Sequence, residues 1–173
     1  MDEDIIEEEE LEESKFKKFI VPVIGVFLVL LLISYIIIGY PISNIIRGQL
    51  ESSPIEGNEI KLDEFSIVFD ENVKEELEEI YFSEQKVEFS VCLQGNKYTD
   101  YFITSLYQPK MFSQTFNHVS FESCKDSLIL LHSHPYKSCL ASEVDISTLN
   151  KMRVDNPDAL MVVMCEPGRF SVY

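Results

Sequence analysis

Apolar and polar residues fall along this chain in three regimes. Residues 1–13 are dominated by acids, residues 19–40 carry no charge, and the remainder mixes apolar and polar positions with a changing period. The middle regime, opened by Phe19 and closed by Tyr40, is apolar on every face, which a half-buried helix of a soluble domain is not. A helix rises ~1.5 Å per residue, so about 20 apolar residues cross the ~30 Å hydrocarbon core of a bilayer. A secretory signal has a shorter apolar core and a small-residue cleavage site. The pattern therefore predicts one membrane-spanning helix over residues 19–40. Tyr35 and Tyr40 lie toward one end of it, as interfacial aromatics do.

Residues 41–62 contain two prolines, two glycines and several polar residues, and read as a linker. Residues 63–173 read as one globular domain. Residues 65–69 alternate like a short strand. Asp70 is an N-cap candidate for a helix in which Val73, Leu77, Ile80 and Tyr81 recur at helical spacing. Residues 86–93 alternate as a strand, with Val87, Phe89, Val91 and Leu93 on one side and Glu88, Ser90 and Cys92 on the other. Gly95 and Asn96 mark a turn into a second strand. A buried-type strand leads into His132 and His134, a serine-capped helix follows Ser142, and two more strands flank a Pro-Gly turn. Interleaved helices and strands predict an α/β class with a mixed sheet.

Charge narrows the partners. Acidic residues number 30 against 14 Lys+Arg, a formal charge of -16. The domain stays net acidic without the N-terminal run, which repels phosphate backbones and argues against nucleic acid. The acidic run, residues 1–18 with its three trailing lysines, reads as a disordered tail. Lys15, Lys17 and Lys18 precede the span and only Arg47 follows closely. The positive-inside rule then puts the N-terminus in the cytoplasm and the main domain outside. Cys92, Cys124, Cys139 and Cys165 form no C-x-x-C pair and read as free thiols, with a disulfide as the alternative.

The chemistry concentrates in "LLHSHPYKSCLASEVD", residues 130–145. His132 and His134 are two apart on a strand, so both imidazoles leave one face. Pro135 stops the strand. Asp145 lies in the first turn of the next helix. If that turn folds back over the strand end, its carboxylate becomes a third ligand. Two neutral imidazoles and a carboxylate suit Zn²⁺, with a fourth position left open as in catalytic sites. His118 belongs to no pattern. Cys139 sits between Pro135 and Ser142, near the candidate site.

The string His-Ser-His-Pro, six residues, Ser142, two residues, Asp145 resembles the signature of the JAMM (MPN-plus) zinc metalloproteases. That family also has an upstream glutamate on a strand after the first helix, commonly in E-x-x-G-x-L-x-G. Here "EFSVCLQG" runs from Glu88 to Gly95, with Val91 where glycine is frequent. Glu84 is the runner-up. The resemblance implies a JAMM-like curved mixed sheet flanked by helices over residues 63–173. It implies zinc on His132, His134 and Asp145, Glu88 as general base and then acid, Ser142 as donor to the oxyanion, and Ser133 as structural. The implied activity is hydrolysis of a peptide or isopeptide bond in a protein or peptide substrate, removing ubiquitin-like proteins or cutting after a C-terminal Gly-Gly. Ubiquitin-like conjugates are intracellular, which conflicts with the orientation that the lysines favour. A membrane-anchored, non-catalytic binding or scaffold module of MPN type is the alternative.

Overall fold

The computed structural model describes residues 3–40, 42–134 and 137–173. Its contacts divide the chain into two units, Met1–Ile42 and Ser43–Tyr173. The first is helix α1 (Glu3–Gly39), which takes in the acidic run where disorder was expected. Within it, Lys18–Gly39 has a mean hydropathy of 3.0 and none of it is buried. Among the described residues it is the one helix long and apolar enough to cross a membrane. The pattern that identifies it also fits a signal sequence.

Helix α2 (Ile42–Glu51), in the second unit from Ser43 on, leads into strands β1 (Ser53–Glu56), β2 (Glu59–Lys61) and β3 (Ser66–Phe69). Helix α3 (Glu71–Ser83) precedes β4 (Ser90–Lys97) and β5 (Tyr101–Tyr107). Then come β6 (Met111–Thr115), β7 (His118–Phe121), β8 (Ile129–Ser133), helix α4 (Glu143–Asp155), β9 (Leu160–Glu166) and β10 (Arg169–Val172). Strands β6 and β7 form a separate hairpin, for which the sequence pattern offered no prediction.

The α/β reading of a JAMM-like curved mixed sheet flanked by helices is corrected here. The strands close into a barrel in the order β1-β10-β9-β8-β4-β5-β3-β2. The cause lies in residues expected to be a linker. β1 and β2 form a hairpin that pairs Ile55 with Ile60 and Glu56 with Glu59. Gly57 takes φ +64 in its turn, a value that disfavours any Cβ. One arm pairs antiparallel with β10 and the other with β3, so the hairpin joins what would otherwise be two free edges.

Alternating residues of these strands fill the interior. Ile60, Ile67, Phe69, Val91, Leu131 and Phe170 are all buried there, and α3 adds Val73 and Leu77. Burial of each such side chain stabilises the fold by roughly 1.5–3 kcal/mol. Gly95 does not mark a turn, as its pairing with Asn96 suggested. It lies within β4 at a register shift, and a Cβ on it would sit 1.9 Å from the Phe102 carbonyl oxygen. The turn follows Lys97 instead.

Strands β8 and β9 run parallel, joined through α4. Ile129 and Leu131 face the barrel core, whereas Leu130 packs outward with Met161 of β9 and Leu149 of α4. Helix α4 thus covers the outer face of this strand pair, with its N-terminus over the carboxyl end of β8.

Candidate metal centre

His132 follows Leu130 by two residues and leaves the same outward face, directly beneath the first turn of α4. Its side chain is 4% exposed. That turn is fixed by a capping box: the Asp145 N–H donates to Ser142 Oγ at 3.3 Å, and the Ser142 N–H donates to Asp145 Oδ2 at 2.6 Å. The second bond aims the carboxylate at the strand end.

The donor atoms form a small triangle. His132 Nε2 and His134 Nε2 are 3.0 Å apart, and they lie 3.3 and 3.4 Å from Asp145 Oδ2. Zinc with bonds of ~2.0–2.1 Å at tetrahedral angles requires its ligands ~3.3 Å apart. A direct ion pair between histidinium and carboxylate would close to ~2.7–2.9 Å. The two longer sides are thus too long for charge-assisted hydrogen bonds and right for ligands of one tetrahedral cation. Among the described residues this is the group of three that could hold a metal. The protonation states agree. Burial pushes the His132 imidazole below its usual range, so it stays neutral and keeps a lone pair. Burial pushes the Asp145 carboxyl up, but the polar N–H and imidazole groups of His132, His134 and Ser142 around it outweigh that and hold it well below the ordinary carboxylate range.

Glu88 reaches the group from the neighbouring strand. Ser90 pairs with His132 across β4 and β8, so the register carries Glu88 to the level of His134 on the same outward face. Glu88 is 8% exposed. Burial pushes its carboxyl up to about 7, with His134 opposing and Asp145 adding to the shift. Its backbone is clamped, since its N–H donates to the Thr115 carbonyl at 2.8 Å and its carbonyl accepts from Gln114 Nε2 at 3.2 Å. Glu84 ends elsewhere, as the C-cap residue of α3, where its carboxylate accepts from Gln114 Nε2 at 3.1 Å. Glu88 is therefore the acid that joins the histidines.

Ser133 faces the other way, and its hydroxyl accepts from the Phe89 N–H at 3.1 Å, fixing the backbone next to Glu88. His118 opens β7 in an exposed position and is not in the group. Pro135 lies outside the described residues. Sequence patterns missed Ser90, whose buried hydroxyl sits opposite His132 with no partner among the described residues. They also missed Gln114, Thr115 and Tyr173, none of which belongs to a motif.

The cysteines correct a second expectation. None is free: Cys92 pairs with Cys124 and Cys139 with Cys165. The second bridge ties the loop between His134 and Ser142 to β9. The Tyr173 hydroxyl reinforces it, accepting from the Ala141 N–H at 3.0 Å and donating to the Cys139 carbonyl at 3.4 Å. Lys137, in the same loop, pairs with Glu166 at 2.5 Å. Beside His134 opens a cleft of about 260 Å³ walled by Tyr81, Val87, Phe89 and Phe116. Glu84, Gln85, Ser133, His134 and Lys137 complete a mixed polar and apolar lining, which suits a side chain flanking a polar bond.

Searches of this chain against protein-family models and against curated proteins find no match.

Proposed function

We propose that the chain is a membrane-anchored, zinc-dependent peptidase that hydrolyses an amide bond of a protein or peptide. The observation that carries this reading is the donor triangle of His132, His134 and Asp145, two of whose sides have the length that one tetrahedral cation requires, with the buried Glu88 carboxyl beside it. The His-Ser-His-Pro…Ser…Asp spacing, similar to that of JAMM proteases, supports the same chemistry independently of the barrel. Bound zinc supplies Lewis acidity toward a carbonyl oxygen and acidifies water.

The chain's own residues do the rest. Asp145 and the two imidazoles hold the cation, oriented by the Ser142 N–H and the β8 backbone. Glu88, whose carboxyl burial pushes up to about 7 in the metal-free chain, takes a proton from the attacking water and returns it to the leaving amine. The Ser142 hydroxyl donates to the oxygen that gains charge. The cleft by Phe89 and Phe116 receives the neighbouring substrate side chain.

The apolar helix anchors the protein as a single span, with residues 43–173 on the side away from the cytoplasm. Two observations support that side: the lysines preceding the span and the two disulfides, which persist in oxidising compartments. They favour a peptide bond of a protein in that compartment over an intracellular ubiquitin-like conjugate.

The test combines metal analysis with cleavage. Purified full-length protein should hold one zinc per chain and cleave fluorogenic peptides from a mixed library. Glu88→Gln should keep its zinc and lose ~10²–10⁴ in rate. A protein without zinc, or one with zinc but inert toward peptide, Gly-Gly-linked and isopeptide substrates alike, would be a binding module instead.

A further inference from the structure

We propose that helix α2 is a membrane-surface foot, laid on the bilayer by Ile46 and Leu50, which holds the loop of the metal centre at the lipid boundary. The helix has two unlike faces. Gly48 is buried against the loop that carries Cys139 and Ile45 is half-buried, whereas Ile46 is 57% and Leu50 82% exposed, one helical turn apart, with the ion pair of Arg47 and Glu51 beside them on the exposed side. Its attachment is rigid. Arg169 Nη1 donates to the carbonyls of Gln49 and Ser52, each at 3.1 Å, closing the C-terminal turn of α2 onto β10. Gly48 lies so close to the loop of the site that a Cβ there would sit 2.8 Å from the Cys139 N atom.

The occupant of the outer face follows from the chain itself. Only Tyr40 and Pro41 separate the apolar helix from α2, so α2 begins within ~10 Å of the end of the proposed span. Two apolar side chains alone bind a bilayer weakly, but here the tether makes the encounter intramolecular. The surrounding domain is acidic, so attraction to anionic lipid does not drive the contact, and zwitterionic lipid serves equally well. A foot of this kind keeps the loop joining His134 to Ser142 about one helix diameter, ~10 Å, from the headgroups. The bonds within its reach are those of polypeptide held near the membrane surface.

The inference rests on the proposed span but not on catalysis, and the chain has no tryptophan, so a single one is an unambiguous reporter. Full-length Leu50→Trp, Ile46→Trp, Leu30→Trp and Tyr98→Trp would each be placed in phosphatidylcholine vesicles carrying lipids brominated at graded depths. Tyr98 follows the end of β4 opposite to Glu88 and is 73% exposed, so it reports the far end of the barrel. Leu50→Trp and Ile46→Trp should emit to the blue of Tyr98→Trp and be quenched severalfold more, most strongly by shallow bromines. High salt and removal of zinc should leave this unchanged. Quenching of Leu30→Trp with Leu50→Trp and Ile46→Trp both resembling Tyr98→Trp would overturn the foot alone. An unquenched Leu30→Trp would overturn the span and the foot together, whatever the zinc content.

Discussion

Burial shifts Glu88 up and His132 down in pKa, because one is charged when deprotonated and the other when protonated, so both are driven toward their neutral forms. Glu88 is raised from 4.5 to about 7. Below 4.5 its carboxyl is protonated whether the chain is folded or not, and it adds no pH dependence. Between 4.5 and about 7 the metal-free native state keeps a proton that the unfolded chain has released. Stability therefore falls as pH rises through that window. Glu88→Gln removes the effect, so after chelation its Tm should gain on that of the wild type as pH rises from 4.5 to 7.5. Parallel Tm curves for the two proteins would refute a buried, proton-holding Glu88. Asp145→Asn is expected to lower zinc affinity more than ~100-fold, since a ligand is worth more than the outer groups that orient it; isothermal titration would read this directly. The histidines and Asp145 were legible in the sequence because strand period puts the two imidazoles on one face and helix capping puts Asp145 in the first turn of the next helix. The choice of Glu88 over Glu84 was not secured there. It depends on where β4 begins and on its register with β8, and Glu88 itself lies just before the strand rather than within it.

At the scale of elements, the capping box gives Ser142 two separable duties. Its hydroxyl caps α4, while its backbone N–H orients Asp145. Ser142→Ala deletes only the hydroxyl, so it should cost about 1 kcal/mol of stability and leave zinc in place. A drop of ~10²–10³ in kcat with zinc retained would identify an oxyanion donor, and a drop of less than tenfold would leave Ser142 as a cap. The two disulfides permit a sharper comparison. They close chain segments of 32 and 26 residues, for which loop entropy gives nearly equal stabilisation, about 3.5 kcal/mol each. Only one of them touches the site. Replacing Cys139 and Cys165 by alanine should therefore weaken zinc binding severalfold as well as lowering Tm. Replacing Cys92 and Cys124 should lower Tm by a similar amount with zinc affinity unchanged. Equal losses of affinity would mean that the loop is not what the second bridge holds. The element most obscured in the sequence was the β1–β2 hairpin. Pro54 and Gly57 resemble linker punctuation, yet Pro54 sits on a short strand beside the turn and Gly57 supplies the turn itself.

For the whole molecule, closure of the barrel and pairing of the cysteines share one cause: both depend on contacts between residues far apart in the chain. No local period reports that β1 meets β10, or that Cys92 comes within 5.6 Å of Cys124 at Cα. Helix α4 and the strands around it were legible because their signals are local, and they carry the three residues proposed as metal ligands, which is why that group could be named without the fold. The bridges also bear on where the domain resides. A thiol pair in a reducing cytosol stays open, whereas outside it such bridges form and persist. The lysines before the span favour the same side. Protease added to intact cells should then digest residues 43–173 and spare an epitope fused to the acidic N-terminus. A permeant maleimide should label no cysteine until reductant is added. Protection of the barrel together with four reactive thiols would put the domain in the cytoplasm, and would restore intracellular ubiquitin-like conjugates as the substrates to try first.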